Sequence, residues 1–457
     1  MKDFTKGKIP KQIFYFALPI VLSSILQQLY SIVDSIFIGH YVGKEGLAAV
    51  GASFPLIFAL VSFVIGIGSG STVIISQYMG AKRMDSVKKA IDTMYIFMFF
   101  GGIILTFIGI YVAPFIFKLT DLPAEVMPFA VEYIQIYLMG NVLFFGFAGT
   151  NAILRGIGDS KTPLYFTLIA TVTNIFLDWL FISEFQMGVR GAALGTILAQ
   201  GGAFFTSIIY LNRNHELISL HLKRLRFDKK IFNESLRIGL PTGFQQTIVS
   251  FGMIALFGIV NQFGTDVVAA YSISLRIESI PLMLSMSFAA AIAPFVGQNI
   301  GADLPLRVKQ GFRNALFMTN AISVLTSILF LLFPRLIISA FTTDVNVIDI
   351  GVEYLKIVAP FYIVFSTMFI LTGTLRGAGA TLIPMFITLI ALWLFRIPVS
   401  YFLSETIGRA GIWWGVPIGW TVGMIISYIY YLSGNWKKAK VKIEPVTIDL
   451  TAIEPEV

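Results

Sequence analysis

Twelve long apolar runs separated by short polar stretches leave this chain few ways to fold. They cover about residues 13–38, 50–76, 93–116, 131–153, 163–183 and 189–211 in the first half, and 239–262, 269–296, 315–338, 352–374, 384–403 and 412–433 in the second. A helix of roughly 20 residues crosses the hydrocarbon core of a bilayer, and every run meets that length. Inside the bilayer each backbone N–H and C=O must find a partner within the structure, and a helix provides one for nearly all of them. The sequence therefore predicts an all-α integral membrane protein with twelve transmembrane helices. Composition agrees, because 457 residues that are 56% hydrophobic and 13% charged cannot hide their apolar surface in a soluble core.

The distribution of basic residues tests the count, since a missed or extra span would mix the two sets of loops. One side carries the great majority of the 33 Lys and Arg, beginning with Lys2, Lys6, Lys8 and Lys11. The other has only Lys44, Lys118, Arg190, Arg335 and Arg409. The asymmetry predicts a multi-pass cell (inner) membrane protein with both termini cytoplasmic. It also accounts for the net charge of +8 as an orientation signal beside anionic lipid, with no nucleic-acid partner. The first apolar run is too long for a signal-peptide core and is expected to remain as a helix. No cysteine is present, and His40, His215 and His221 lie outside the apolar runs without ligand-like spacing. No nucleophile, base and orienter stand together at a sensible depth, so the chain is not expected to be an enzyme or to hold a cofactor.

An internal repeat divides the chain. A shift of 221 residues brings Gln77, Gly80 and Ala81 onto Gln298, Gly301 and Ala302, and Val131-Glu132-Tyr133 onto Val352-Glu353-Tyr354. The same shift brings Leu154-Arg155-Gly156-x-Gly158 onto Leu375-Arg376-Gly377-x-Gly379, and Pro163 onto Pro384. Six spans per unit give both units one orientation, hence parallel repeats: two six-helix lobes with a cleft between them. The expected lobes are 1–211 and 238–433. A basic linker, 212–237, joins them on the cytoplasmic side, and a polar tail, 434–457, is expected to be disordered. Within the linker, residues 227–236 read as an amphipathic interfacial helix or as a solvated loop.

Against this symmetry the acidic residues are one-sided. A carboxylate in hydrocarbon costs about 3 kcal/mol on insertion scales, so a buried Asp asks for a reason. Asp34, near the end of the first span, falls on Ala255 or Leu256 in the repeat register, and Asp178 falls on Val399. Tyr30 precedes Asp34, and Asn174 precedes Asp178, by one helical turn, on the same face. Thr196 lies early in the sixth span. Helical rise places Asp34, Asp178 and Thr196 about 6–11 Å below the outer surface, so they can share one site. Two carboxylates, an amide oxygen and hydroxyls are hard ligands that suit Na+ at Asp34, Asn174, Asp178 and Thr196, or a proton shared between acids. The alternative is a structural hydrogen-bond pair near the headgroups.

Pro19 removes a backbone donor inside the first helix and is a candidate hinge, with simple packing as the alternative. In the second lobe Arg276, Glu278, Lys356 and Arg396 lie in or near the spans. Each of this set is expected to pair across helices or to serve in gating or substrate contact. Met283 and Met286 are candidate linings of an adaptable, greasy cleft. Gly66-x-Gly68-x-Gly70 lies in mid-membrane with no strand before it, which points to close helix packing rather than nucleotide binding.

Leu18-Pro19 and Asp34, Gln77-Tyr78-x-Gly80-Ala81, Leu154-Arg155-Gly156-x-Gly158-Asp159-x-Lys161-x-Pro163, and the reduced copy at Leu375 to Pro384 together resemble the multidrug and toxic compound extrusion (MATE) family, in particular its DinF-like branch. The resemblance covers about residues 8–435. It implies a V-shaped antiporter that expels small organic, often cationic and amphipathic compounds in exchange for H+ or Na+ by alternating access, acting as a monomer. It also assigns coupling to Asp34, Asn174 and Asp178, with Tyr30 and Thr196 nearby, and bending to Pro19. A lipid-linked saccharide flippase of the same wider superfamily is the competing reading; it would need Arg and Lys lining the cleft.

Overall fold

The computed structural model describes residues 2–119, 122–215 and 217–441, which form helices and no strand. Of the polar tail, residues 442–457 lie outside the described residues. The long helices are α1 (Ile9–Val42), α2 (Lys44–Gly80) and α3 (Met84–Leu119), then α4, made of Met127–Met139 and Asn141–Gly156, followed by α5 (Lys161–Glu184) and α6 (Gly188–Asn214). After the linker come α7 (Lys229–Asn261), α8 (Thr265–Gly301), α9 (Pro305–Leu332), α10 (Val345–Gly377), α11 (Leu382–Ile407) and α12 (Arg409–Ser433). Among the described residues ten of these are long and apolar enough to cross a membrane, and the bent pair of α4 makes an eleventh. The 37 residues of α2 form a further long helix.

Three boundaries differ from the sequence reading, each for a local reason. The run 315–338 is interrupted after Leu332. Pro334 cannot continue a helix, so Phe333 leaves helical geometry and a short separate helix, Pro334–Ser339, follows. The run 131–153 is bent by 53° at Gly140, where an added Cβ would collide with Ile197 of α6. The helix α7 begins inside the expected linker. Asp228 caps α7 by accepting from the N–H groups of Lys230 at 2.9 Å and Ile231 at 3.1 Å, so residues 229–237 are its first turns. The rest of the linker is held against α3: the Thr93 hydroxyl accepts from Asp228 N–H at 3.0 Å, and Lys88 donates to the Ser219 carbonyl at 2.7 Å.

Apolar packing sorts the helices into two groups that exchange their first helices. One core joins α2–α6 with Ile231 and Ile238 from the start of α7, whereas Leu256, Ile259 and Val260 from its far half pack with α8, α10 and α12. In the same way Ile9, Ile13, Phe16, Ala17 and Ile20 of α1 pack on α8, α9 and α10, while Ile38 packs with α4, α5 and α6. The groups meet through backbone. A Cβ on Gly66 would lie 2.6 Å from the Gly239 carbonyl oxygen, and one on Gly70 would lie 2.6 Å from that of Ser235, while Gly68 faces Ala152. The glycine series is a close-packing seam. Gly80 abuts the backbone of Gln298, and Gly301 abuts that of Gln77, a reciprocal contact at the repeat spacing.

All these inter-group contacts lie towards the face where Phe4 and Val441 are buried. Ser24 and Ser287, whose hydroxyls are 3.4 Å apart, link α1 to α8 nearer mid-helix. Beyond them α1 packs on α5 and α8 packs on α10.

Candidate functional site

The far half of the first group gathers the acids that the sequence singled out. Asp34 is 9% exposed, Asp178 is fully buried, and Asn174 and Thr196 are 3% exposed. The Asn174 amide donates to Asp178 Oδ1 at 3.3 Å across one turn of α5. Asp34 of α1 is close enough to Asp178 for the two charges to interact, and Tyr30 reaches Thr196 with its hydroxyl while lying within electrostatic range of both acids. One site thus holds Tyr30, Asp34, Asn174, Asp178 and Thr196. At about 1.5 Å per residue, the acids and Thr196 lie roughly 9–12 Å from the far ends of their helices, close to the expected depth.

The acceptors are left open. Among the described residues nothing donates to Asp34 Oδ1, Asn174 Oδ1 or Asp178 Oδ2, although all three atoms are buried. Buried oxygens without donors are costly, so this cluster suits a guest that supplies positive charge. The donor set of two carboxylates, an amide oxygen and a hydroxyl fits a proton or a small alkali cation. No group of three or more His, Cys, Asp and Glu among the described residues would hold a multivalent metal.

Local backbone supports the arrangement. Both acids are followed by π-helical turns, Ile38–Val42 after Asp34 and Trp179–Glu184 directly after Asp178, and such turns often mark functional positions. Gly195 of α6 clears the space: an added Cβ would fall 2.6 Å from Asp178 Oδ1. Sequence reasoning missed Gly195, Tyr133 and Tyr137. The two tyrosines lie one turn apart on α4, with ring centroids 6.1 Å apart, and both are within electrostatic range of Asp34. The usable signal was the repeated Val-Glu-Tyr triplet, which puts Tyr133 in register with Tyr354.

The second-lobe candidates do not join this site. Glu278 is 3% exposed; it accepts from the Tyr354 hydroxyl and faces Arg396 and Tyr362. Arg396 also meets Tyr271 and ends the third π-helical turn, Ile390–Arg396. Arg276 and Lys356 are exposed rather than paired with Glu278, and Met286 is exposed while Met283 is half-buried. Pro19 lies buried inside α1 against the second group, with the Ser23 hydroxyl bonded to its carbonyl at 2.9 Å. That back-bond, together with the donor missing at Pro19, weakens the helix locally.

Comparison with known proteins gives the family and the fold. The MatE family model matches residues 19–180 and again 241–402. A probable multidrug resistance protein, YpnP of Bacillus subtilis (strain 168), is 31% identical over 97% of this chain and 99% of its own length. The probable multidrug resistance protein NorM of Thermotoga maritima is 30% identical over 95% and 94%. Among solved structures, the outward-facing conformation of a multidrug resistance MATE family transporter superposes with a TM-score of 0.90 at 22% identity, covering 96% of this chain and 99% of that one. The straight conformation of a MATE protein gives 0.89 at 23% identity over 95% and 98%, a likeness of fold. With the model matching twice over most of its length, and with apolar helices throughout, the chain is a multi-pass membrane protein that belongs to the MATE (MatE) family of transporters.

Proposed function

We propose that this protein is a secondary active multidrug efflux antiporter of the DinF-like branch, with twelve spans in two parallel repeats and its termini in the cytoplasm. In this reading organic compounds leave by the cleft in exchange for H+ or Na+ bound in the first lobe. The observation that carries it is the trio of donorless buried oxygens on Asp34, Asn174 and Asp178, a site for one positive charge. The names of the relatives, multidrug resistance proteins across nearly the whole chain, support the choice of cargo.

The cycle follows from electrostatics. With the site empty, two acids that repel each other stand in a low dielectric; a bound cation or proton removes the penalty and favours whichever arrangement of the lobes encloses it. An ion moves that equilibrium only as far as its affinities for the two arrangements differ. Pro19 is the hinge that lets α1, shared between both groups, change its path. The flippase reading has less support, because Arg396 faces the buried Glu278 and Arg276 and Lys356 do not join them.

The test is transport in proteoliposomes with pH and Na+ gradients imposed separately and a fluorescent cationic drug as cargo. One gradient should drive drug movement, and Asp34→Asn should reduce that component to background while the purified protein stays monodisperse. Gradient-driven transport unchanged in that variant would refute the assignment.

A further inference from the structure

Two segments outside the long helices are buried where lysine-rich chain would ordinarily be solvated. Phe4 is fully buried and Val441 is 1% exposed, although Lys6, Lys8, Lys438 and Lys440 around them are exposed. The leading segment, residues 2–7, precedes the first lobe but is held largely by the second. Phe4 N–H donates to Gln298 Oε1 at 2.8 Å, and its carbonyl accepts from Asn299 at 3.2 Å and from Arg307 at 2.9 Å. Its ring lies against Phe16 and Phe295, with centroids at 5.0 and 5.7 Å. At Lys2 the segment returns to the first lobe, donating to the Gly158 carbonyl at 3.2 Å.

The trailing segment, residues 436–441, does the converse. It follows the second lobe, yet Val441 N–H donates to Gln77 Oε1 of α2 at 2.8 Å, while Gln77 Nε2 donates to the Gly377 carbonyl at 3.1 Å. Gly158 and Gly379 are repeat-related, each with φ near +90°. A Cβ on the first would lie 2.5 Å from the Lys2 carbonyl oxygen, and one on the second would lie 2.6 Å from that of Ala439. Gln77 and Gln298 are repeat-related as well. So two segments without sequence similarity dock at equivalent places, each touching a glycine of one lobe and a glutamine of the other.

That placement has a mechanical consequence. Both segments bridge the lobes on the face that carries the reciprocal Gly80–Gln298 and Gly301–Gln77 contacts, so an alternating-access cleft cannot open towards that face while either stays docked. We propose that residues 2–7 and 436–441 are paired straps whose release is required for the cleft to open on the face that bears them. The proposal rests on the alternating-access reading and adds to it the element that is broken and remade in each cycle.

Because the chain contains no cysteine, a spin-label pair at Lys89→Cys and Gln310→Cys, exposed on α3 and α9, reports the lobe separation on this face without background. Two strap variants are chosen for small local change. Phe4→Ala removes the buried ring. Val441→Pro removes the N–H to Gln77 and exchanges the buried valine side chain for a proline ring, and Lys440 already has φ −56° and ψ 149°, which a following proline tolerates. In lipid nanodiscs each should raise the long-distance population about fivefold, and both together should raise it further. Lys440→Ala, which breaks only the exposed pair with Asp303, should leave it unchanged. In the unmodified protein, amide exchange at Phe4 and Val441 should accelerate together under the ion condition that lengthens the distance, a readout independent of any folding defect.

Distances unaltered in the double variant, or exchange at the two amides insensitive to ion condition while the labels show both states, would overturn the straps and leave the transport reading standing. A label pair fixed at one distance under every ion and drug condition, with no gradient-driven transport, would remove the alternating-access reading and the straps with it.

Discussion

At the scale of single residues, the case for function lies in which polar groups remain unanswered. Most buried polar side chains here are bonded: Thr72 to Ala152, Tyr95 to Thr150, Ser327 to Ala359. The open acceptors of Asp34, Asn174 and Asp178 are costly in a low dielectric, and their clustering argues against a merely structural hydrogen-bond pair. Gly195 tests the packing around them. A methyl group 2.6 Å from Asp178 Oδ1 must displace the carboxylate, so Gly195→Ala should weaken coupling-ion affinity about tenfold, or 1.4 kcal/mol, in a titration of ion-dependent tryptophan fluorescence. Gly202→Ala, with no atom within 4 Å of the added Cβ, should leave affinity unchanged.

At the scale of helices, the prolines and glycines divide the work between bending and contact. Pro19 sits where α1 still packs on the second group, below the part that reaches α5, so a bend there moves Asp34 relative to Asp178. Pro19→Ala restores a backbone donor. It should lower gradient-driven drug transport severalfold while Na+ or proton binding, measured calorimetrically, is retained; transport at the parent rate would dismiss the hinge. On α2 the requirement is the reverse, closeness. Gly70→Val would drive a branched side chain into the backbone of Ser235 and Gly239, and overpacking of this kind costs about 1–3 kcal/mol. The expected outcome is a lower melting temperature in detergent, whether or not the coupling ion is present.

At the scale of the whole molecule, ion binding and stability are linked, because a ligand that binds only the folded protein stabilises it by RT ln(1 + [L]/Kd). Coupling cation at about 100 times its Kd therefore adds roughly 2.7 kcal/mol. The melting temperature should rise with Na+ if the ion is sodium, or with acidification if it is the proton. Asp34→Asn and Asp178→Asn should each abolish the rise, and a rise of equal size in both variants would place ion binding elsewhere. The second group offers a useful contrast. Glu278 accepts from the Tyr354 hydroxyl and faces Arg396, so this buried carboxylate has a basic neighbour that, among the described residues, Asp34 and Asp178 lack. The repeat supplies a similar scaffold twice, and the pair Asp34 and Asp178 has no acidic counterpart at the repeat-related positions of the second copy.

Sequence alone determined the membrane class, the helical fold, the repeat spacing and the identity of the acids. Each follows from local or periodic quantities: apolar run length, loop charge, a constant offset and the cost of a carboxylate in hydrocarbon. Tertiary structure decided what depends on neighbours distant in the chain. Asp34 and Asp178 are 144 positions apart in sequence, and only the packing of α1 against α5 brings their charges within reach of each other. The contribution of Tyr133 and Tyr137, the Gly195 clearance, the pairing of Glu278 with Tyr354 instead of with nearby Arg276, and the seating of Phe4 and Val441 on opposite lobes likewise arise from contacts between separate helices, which no pattern along a single helix encodes.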